Sequence, residues 1–146
     1  MKKIIYTRPD GGVSIVGPAV NSDEGLAAAQ AKLPADAINP KVVDISAIPQ
    51  DRTFRNAWQQ NETLVQHEMV KAREIHRDHL RQIRGPLFAA NDLAIRDAQI
   101  DGDAAALAQA VARRNALRNV TADPAIDAAT TPEELKAVIP AVLKGT

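Results

Sequence analysis

No cysteine occurs among the 146 residues. Disulfides and thiolate-held metals are therefore excluded. Aromatics are nearly as scarce, with one Trp, one Tyr and two Phe, so ring packing contributes little to any core. Neither sign of charge prevails: Lys+Arg and Asp+Glu each number 18. That balance argues against a general nucleic-acid binder, which needs surplus positive charge to displace counterions from phosphates. No apolar run approaches the ~20 residues that span a bilayer. The "IIY" that follows "MKK" is too short for a secretory core. The expectation is a soluble chain made and used in a cytoplasm, with no membrane partner.

What the chain has in quantity is alanine, within a hydrophobic content of 45%. Alanine buries little area, at ~25 cal/mol per Å². Helix propensity and close helix packing must then carry much of the fold. Self-association would supply further burial.

The first fifty residues read as α/β. "KKIIYTR" and "VSIVG" flank "PDGG", a turn between two β-rich runs in which glycine admits positive φ. Strands are expected near 3–8 and 13–17. "NSDEGLAAAQAKLP" offers Asn21 or Ser22 as N-cap, places Leu26, Ala29 and Leu33 on one face, and ends by Pro34. "KVVDI", residues 41–45, is a third strand. Beyond "DRTFRNAW" and the polar "QQNET", the pattern turns helical from about Val65. Met69, Ala72, Ile75, His76, His79, Leu80 and Ile83 fall on one broad face. "GP" at Gly85–Pro86 should break or kink this helix, because proline lacks the N–H and crowds the preceding turn. The periodicity resumes through Leu87, Ala90, Asn91, Ala94 and Ala98. "DGD" is a turn in which Asp103 caps a helix running to about Asn119, with Leu107, Ala110, Val111, Leu117 and Val120 inward. "TTPEEL" is a capping box from Thr131 to Glu134 with Pro132 at the first helical position, so a last helix is expected over 132–143. The fold class is α+β: a small three-stranded unit with one helix (1–50), a connecting wedge (51–64), and a helical region (65–146) with an antiparallel hairpin and a short final helix.

No stretch carries a catalytic signature, and no cofactor is implied. His76 and His79, at i, i+3, could meet one metal ion, but no third ligand is evident, and a polar seam in a bundle explains them. "IDGDAAA" lacks the remaining oxygen ligands of a calcium loop. Arg73, Arg77, Arg81 and Arg84 form a stripe beside Glu74 and Asp78. It reads as a solvated, salt-bridged face, as a surface for an acidic partner, or, least of the three, as a nucleic-acid contact. Within "DRTFRNAW", Phe54 and Trp58 hold two of the chain's few rings. They read either as glue between the sheet unit and the helices or as a partner-docking surface. Arg52 and Arg55 would then stack on the indole or cap helix carbonyls.

Taken together, "RPDGGVSIV", "DRTFRNAW", "MVKAREIHRDHLR", "ALRNVTADPAI" and "TTPEELKAVIP" resemble small bacteriophage-encoded proteins found among tail genes. The likeness covers nearly the whole chain. "AREIHRDHLR" after "DRTFRNAW" is its most specific part, and "RGPLF" is a departure from regular helix. The resemblance implies a virion role, assembled in the host cytoplasm: a non-enzymatic structural part of the tail or tail fibre working by protein–protein contact. The plan of a small β head followed by helices is also similar to that of tail-fibre assembly chaperones. A homo-oligomer, a trimer among the options, suits the alanine-rich helices. A DNA-binding regulator using the arginine stripe is the remaining alternative.

Overall fold

The computed structural model describes residues 1–144. It is α+β, and the chain divides into two compact units, Met1–Ala72 and Arg73 onward.

In the first unit, β1 (Lys2–Thr7) and β2 (Val13–Val16) form the expected hairpin. Its tip closes through Gly11 N–H to Arg8 C=O at 2.9 Å and Arg8 N–H to Gly12 C=O at 2.7 Å. Gly11 takes the left-handed φ of 83° that a side chain would resist. The Asp10 carboxylate accepts the Gly12 N–H at 2.8 Å. β3 (Ile38–Asp44) pairs on the other side of β1, giving an antiparallel sheet in the order β2-β1-β3. Between β2 and β3 lies α1 (Asp23–Gln30), capped by the Ser22 hydroxyl on Gly25 N–H and burying Leu26. It ends at Gln30 with Ala31 as C-cap, three residues short of Leu33, whose place ahead of Pro34 disfavours helix.

The segment read as a polar connector instead folds. β4 (Trp58–Asn61) and β5 (Leu64–His67) make a second, two-stranded sheet. Trp58 and Val65, one from each strand, point into the core formed by Ile5, Val13, Val43 and Ile48. The first unit is thus larger than the 1–50 expected for it, because burying a Trp on its sheet recruits the following strands.

The long helix α2 (Met69–Asp101) starts four residues later than Val65, since Leu64–His67 is strand. It is not broken at Gly85–Pro86: Pro86 sits inside one continuous helix. The missing N–H and ring clash cost about 3 kcal/mol, and the long helical flanks on both sides outweigh that. α3 (Ala104–Arg118) follows a turn at Gly102, with Asp103 accepting from Ala106 N–H. Arg84 reaches the carbonyl of Leu117 and Asn91 that of Ala110. Rising numbers on α2 meet falling numbers on α3, so the hairpin is antiparallel. Leu117, Val120 and Ala110 are buried as expected, but Val111 is 43% exposed and Ile83 48%.

Two further short helices complete the second unit. α4 (Pro124–Ala128), capped by Asp123, buries Ile126. α5 (Pro132–Ala137), capped by Thr131, buries Leu135. The final helix ends well short of 143. Pro140 intervenes, and Ala141–Leu143 is only a 3-10 turn.

Candidate functional site

"DRTFRNAW" is built by local hydrogen bonds. The Asp51 carboxylate accepts the Thr53 N–H at 2.9 Å and its hydroxyl at 2.6 Å. This turn drives Phe54 inward to 2% exposure. A 3-10 turn, Arg55–Ala57, then reverses the chain so that Trp58 opens β4. Phe54 and Trp58 therefore do not share a helical face. The indole N–H donates to His67 Nε2 at 3.1 Å, and the rings meet edge-on at 82°. Because an indole nitrogen only donates, His67 Nε2 is the acceptor in this bond. Trp58 belongs to the core of the first unit, and its ring partner is His67 rather than Arg52 or Arg55.

Those two arginines are exposed. They flank a polar cleft of about 400 Å³ that also takes in Lys3, Arg8, Trp58 and residues 13–17. Arg8 is anchored there, donating to Val13 C=O at 3.1 Å and pairing with Asp10. The Gly12 N–H, and after it Arg8, hold the Asp10 carboxyl below its ordinary value.

The arginine stripe of α2 is largely inward. Arg73 donates to Ala129 C=O at 2.8 Å. Arg77 donates to Thr121 C=O at 3.3 Å and pairs with Glu74 and Asp127. Arg84 caps Leu117 and Arg118 carbonyls and stands 5.7 Å over the Phe88 ring. These bonds serve helix-end carbonyls that have no partner within their own helices. Arg81, paired with Asp78, keeps the more open side chain, 46% exposed against 18% for Arg77.

His76 is 5% exposed and its Nε2 lies 2.8 Å from Val138 C=O. Burial pushes the imidazole below its ordinary 6.5; the bond to Val138 offsets this only in part, and His79 and Arg77 add to the depression. Among the described residues, no group of three or more His, Cys, Asp or Glu could hold a metal ion.

Sequence reasoning missed a groove of about 570 Å³ on the hairpin, where Leu87, Ala90 and Ala94 of α2 face Ala106 and Ala110 of α3. The signal was present in the alternation of alanines at helical spacing on both helices. No helix is long and apolar enough to cross a membrane among the described residues. The chain matches no protein-family profile, no curated protein and no solved structure.

Proposed function

We propose that the protein is a non-enzymatic component of a bacteriophage tail or tail fibre that works by protein–protein contact, in the virion after assembly in the host cytoplasm. One observation supports a contact role most directly. From Gly85 onward, α2 and α3 are thinly filled: the buried residues there are Asn91, Ala98, Ala110 and Leu117. Meanwhile Leu93 is 48% exposed, Ile100 73% and Val111 43%. Two helices that share so little core draw most of their stability from whatever packs on their amphipathic faces. The alanines that line the groove, beside Leu87, Gln109 and Arg113, let another helix approach closely. A second copy, in a trimer or another closed ring, or a fibre chain would fill it. The tail assignment itself rests on the residue patterns that resemble phage tail-region proteins.

The assembly chaperone is the second reading. The same open apolar groove suits a chain held for a time and then released. The regulator reading is weakened, because Arg73, Arg77 and Arg84 are engaged by carbonyls of their own unit. Quantitative mass spectrometry of purified particles tests the proposal. A structural part is present at a fixed copy number. A released chaperone is absent from particles but co-purifies with the fibre chain. Absence from both would refute the tail assignment.

A further inference from the structure

We propose that the cleft along the free edge of β2 binds an acidic, extended segment of a partner protein, which adds as a strand to β2 and sets its carboxylates on Arg52 and Arg55. The inference specifies one contact of the proposed function and rests on that reading only in taking a protein segment as the occupant.

The register shows what the edge offers. Arg8 N–H bonds Gly12 C=O, and Ile4 pairs with Val16, Ile5 with Ile15, Tyr6 with Ser14 and Thr7 with Val13. In an antiparallel ladder, bonded and non-bonded pairs alternate. Tyr6–Ser14 and Ile4–Val16 are then the bonded pairs, and the backbone groups of Val13 and Ile15 point away from β1. The Arg8 guanidinium confirms this at one end by taking Val13 C=O. Ile15 therefore presents both its N–H and its C=O outward, on a strand at the end of the sheet order. All of residues 13–17 line the cleft, so it runs along the whole of β2, with Lys3 and Tyr6 of β1 also in its lining. Gly17 carries no side chain to block it, and the Lys3 ammonium lies 2.7 Å from where a Cβ would stand.

The walls supply charge of one sign. Lys3, Arg8, Arg52 and Arg55 line the cleft, and no Asp or Glu does. Among the described residues, no salt bridge engages Lys3, Arg52 or Arg55. Arginine forks match carboxylates in two-point contact. A bare oxyanion would satisfy the cations yet be repelled by the outward carbonyl of Ile15. A strand with acidic side chains meets both features, since its own N–H groups donate to that carbonyl while its carboxylates meet the guanidinium groups.

The test uses the full chain, ¹⁵N-labelled, at low salt. The probe is a capped octapeptide of alternating Glu and Val. Its controls are the same peptide with alternate backbone amides methylated, and inorganic phosphate. Saturable shifts at the Ile15 and Gly17 amides with slowed exchange of the Ile15 N–H are expected from the first probe alone. The double variant R52E/R55E, both positions being exposed, should keep its circular dichroism and bind about tenfold or more weakly, the loss of about 1.4 kcal/mol or more. No saturable shift with the Glu–Val peptide would overturn the inference. So would equal affinity for the methylated peptide, or phosphate reproducing the same shifts. A chain that binds the peptide but is absent from phage particles and fibre complexes removes the tail assignment and leaves the cleft. A tail component that ignores the peptide removes the cleft alone.

Discussion

Replacing Trp58 with alanine should cost about 3–5 kcal/mol, the range for deleting a large buried ring. The magnitude follows from the packing. Trp58 is 4% exposed and touches a core of Ile5, Val13, Val43, Ile48 and Val65. A ring of this kind buries ~150–250 Å², or about 4–6 kcal/mol at ~25 cal/mol per Å². That figure is an upper bound, because a compact unfolded chain already hides part of the surface. In a chain with so few aromatics no neighbour can swing in to refill the space. The His67 ring also loses its donor, worth about 1 kcal/mol. Trp58→Phe separates the two contributions. It keeps most of the ring and removes the N–H, so its cost should be about 1–2 kcal/mol.

The wild type can be followed in urea by its single tryptophan. The variants need circular dichroism together with hydrogen exchange at Ile4 and Ile5, whose amides sit in the central strand β1. A loss below about 1 kcal/mol for Trp58→Ala would refute the reasoning, since a ring with that burial cannot be so cheap to remove. Equal losses for both variants would place the stabilisation in the hydrogen bond and refute the packing argument instead.

The helical unit yields three more expectations. Because the folded-state pKa of His76 is depressed by burial below its ordinary 6.5, the unfolded chain binds the proton more readily; stability is fully present above about that pH and is lost as pH falls toward the folded value, which a urea series across acidic pH would show as a falling midpoint. Gly85 has open space around the position of a Cβ, so Gly85→Ala should raise stability by about 0.5–1 kcal/mol, and Pro86→Ala by up to about 3 kcal/mol; a drop in thermal midpoint for either would show that this part of α2 is held by a contact the two residues themselves make. Thr131→Ala removes the cap on Glu134 N–H, 3.2 Å long, and should cost about 1 kcal/mol in denaturant unfolding, whereas a neutral result would mean that Glu134, which bonds the Thr130 N–H and hydroxyl, holds the helix start unaided.

Legibility in the sequence followed how local the cause was. The β1–β2 hairpin, the caps at Ser22, Asp103 and Thr131, and the antiparallel long helices come from turn chemistry and periodicity within a few residues, and all are found. β4 and β5 were hidden because "WQQN" and "LVQH" carry only Trp58 and Val65 as inward apolar residues. What makes them strands is the pairing of Trp58 with His67 and burial against Ile5 of β1 and Val43 of β3, which lie 53 and 15 residues before Trp58 in the chain. α4 was legible in principle: Asp123 before Pro124 is the same cap-and-proline signal as Thr131 before Pro132. Glu62 is a different case. It sits at φ 53°, at the tip between β4 and β5, where glycine or asparagine would be the turn signal, so the sequence concealed the hairpin at the very residue that should mark it.

The arginine stripe shows why a site is harder to read than an element. Spacing alone puts Arg73, Arg77, Arg81 and Arg84 on one side of α2, and a charged stripe on a helix is ordinarily solvated. Whether it faces water depends on where the later, short helices end. Here the carbonyls of Thr121, Ala129 and Leu117 close over it, so three of the four guanidinium groups act as staples. Arg52 and Arg55 went the other way. Read as supports for the indole, they leave that role to His67 and line, with Lys3 and Arg8, a cleft beside β2. The transferable point is one of competition. An arginine near unsatisfied helix-end carbonyls is drawn to them, because those acceptors have no other partner once water is excluded. An arginine on a turn whose own Asp already accepts the backbone N–H, as Asp51 accepts that of Thr53 beside Arg52, remains free to meet an acid from elsewhere.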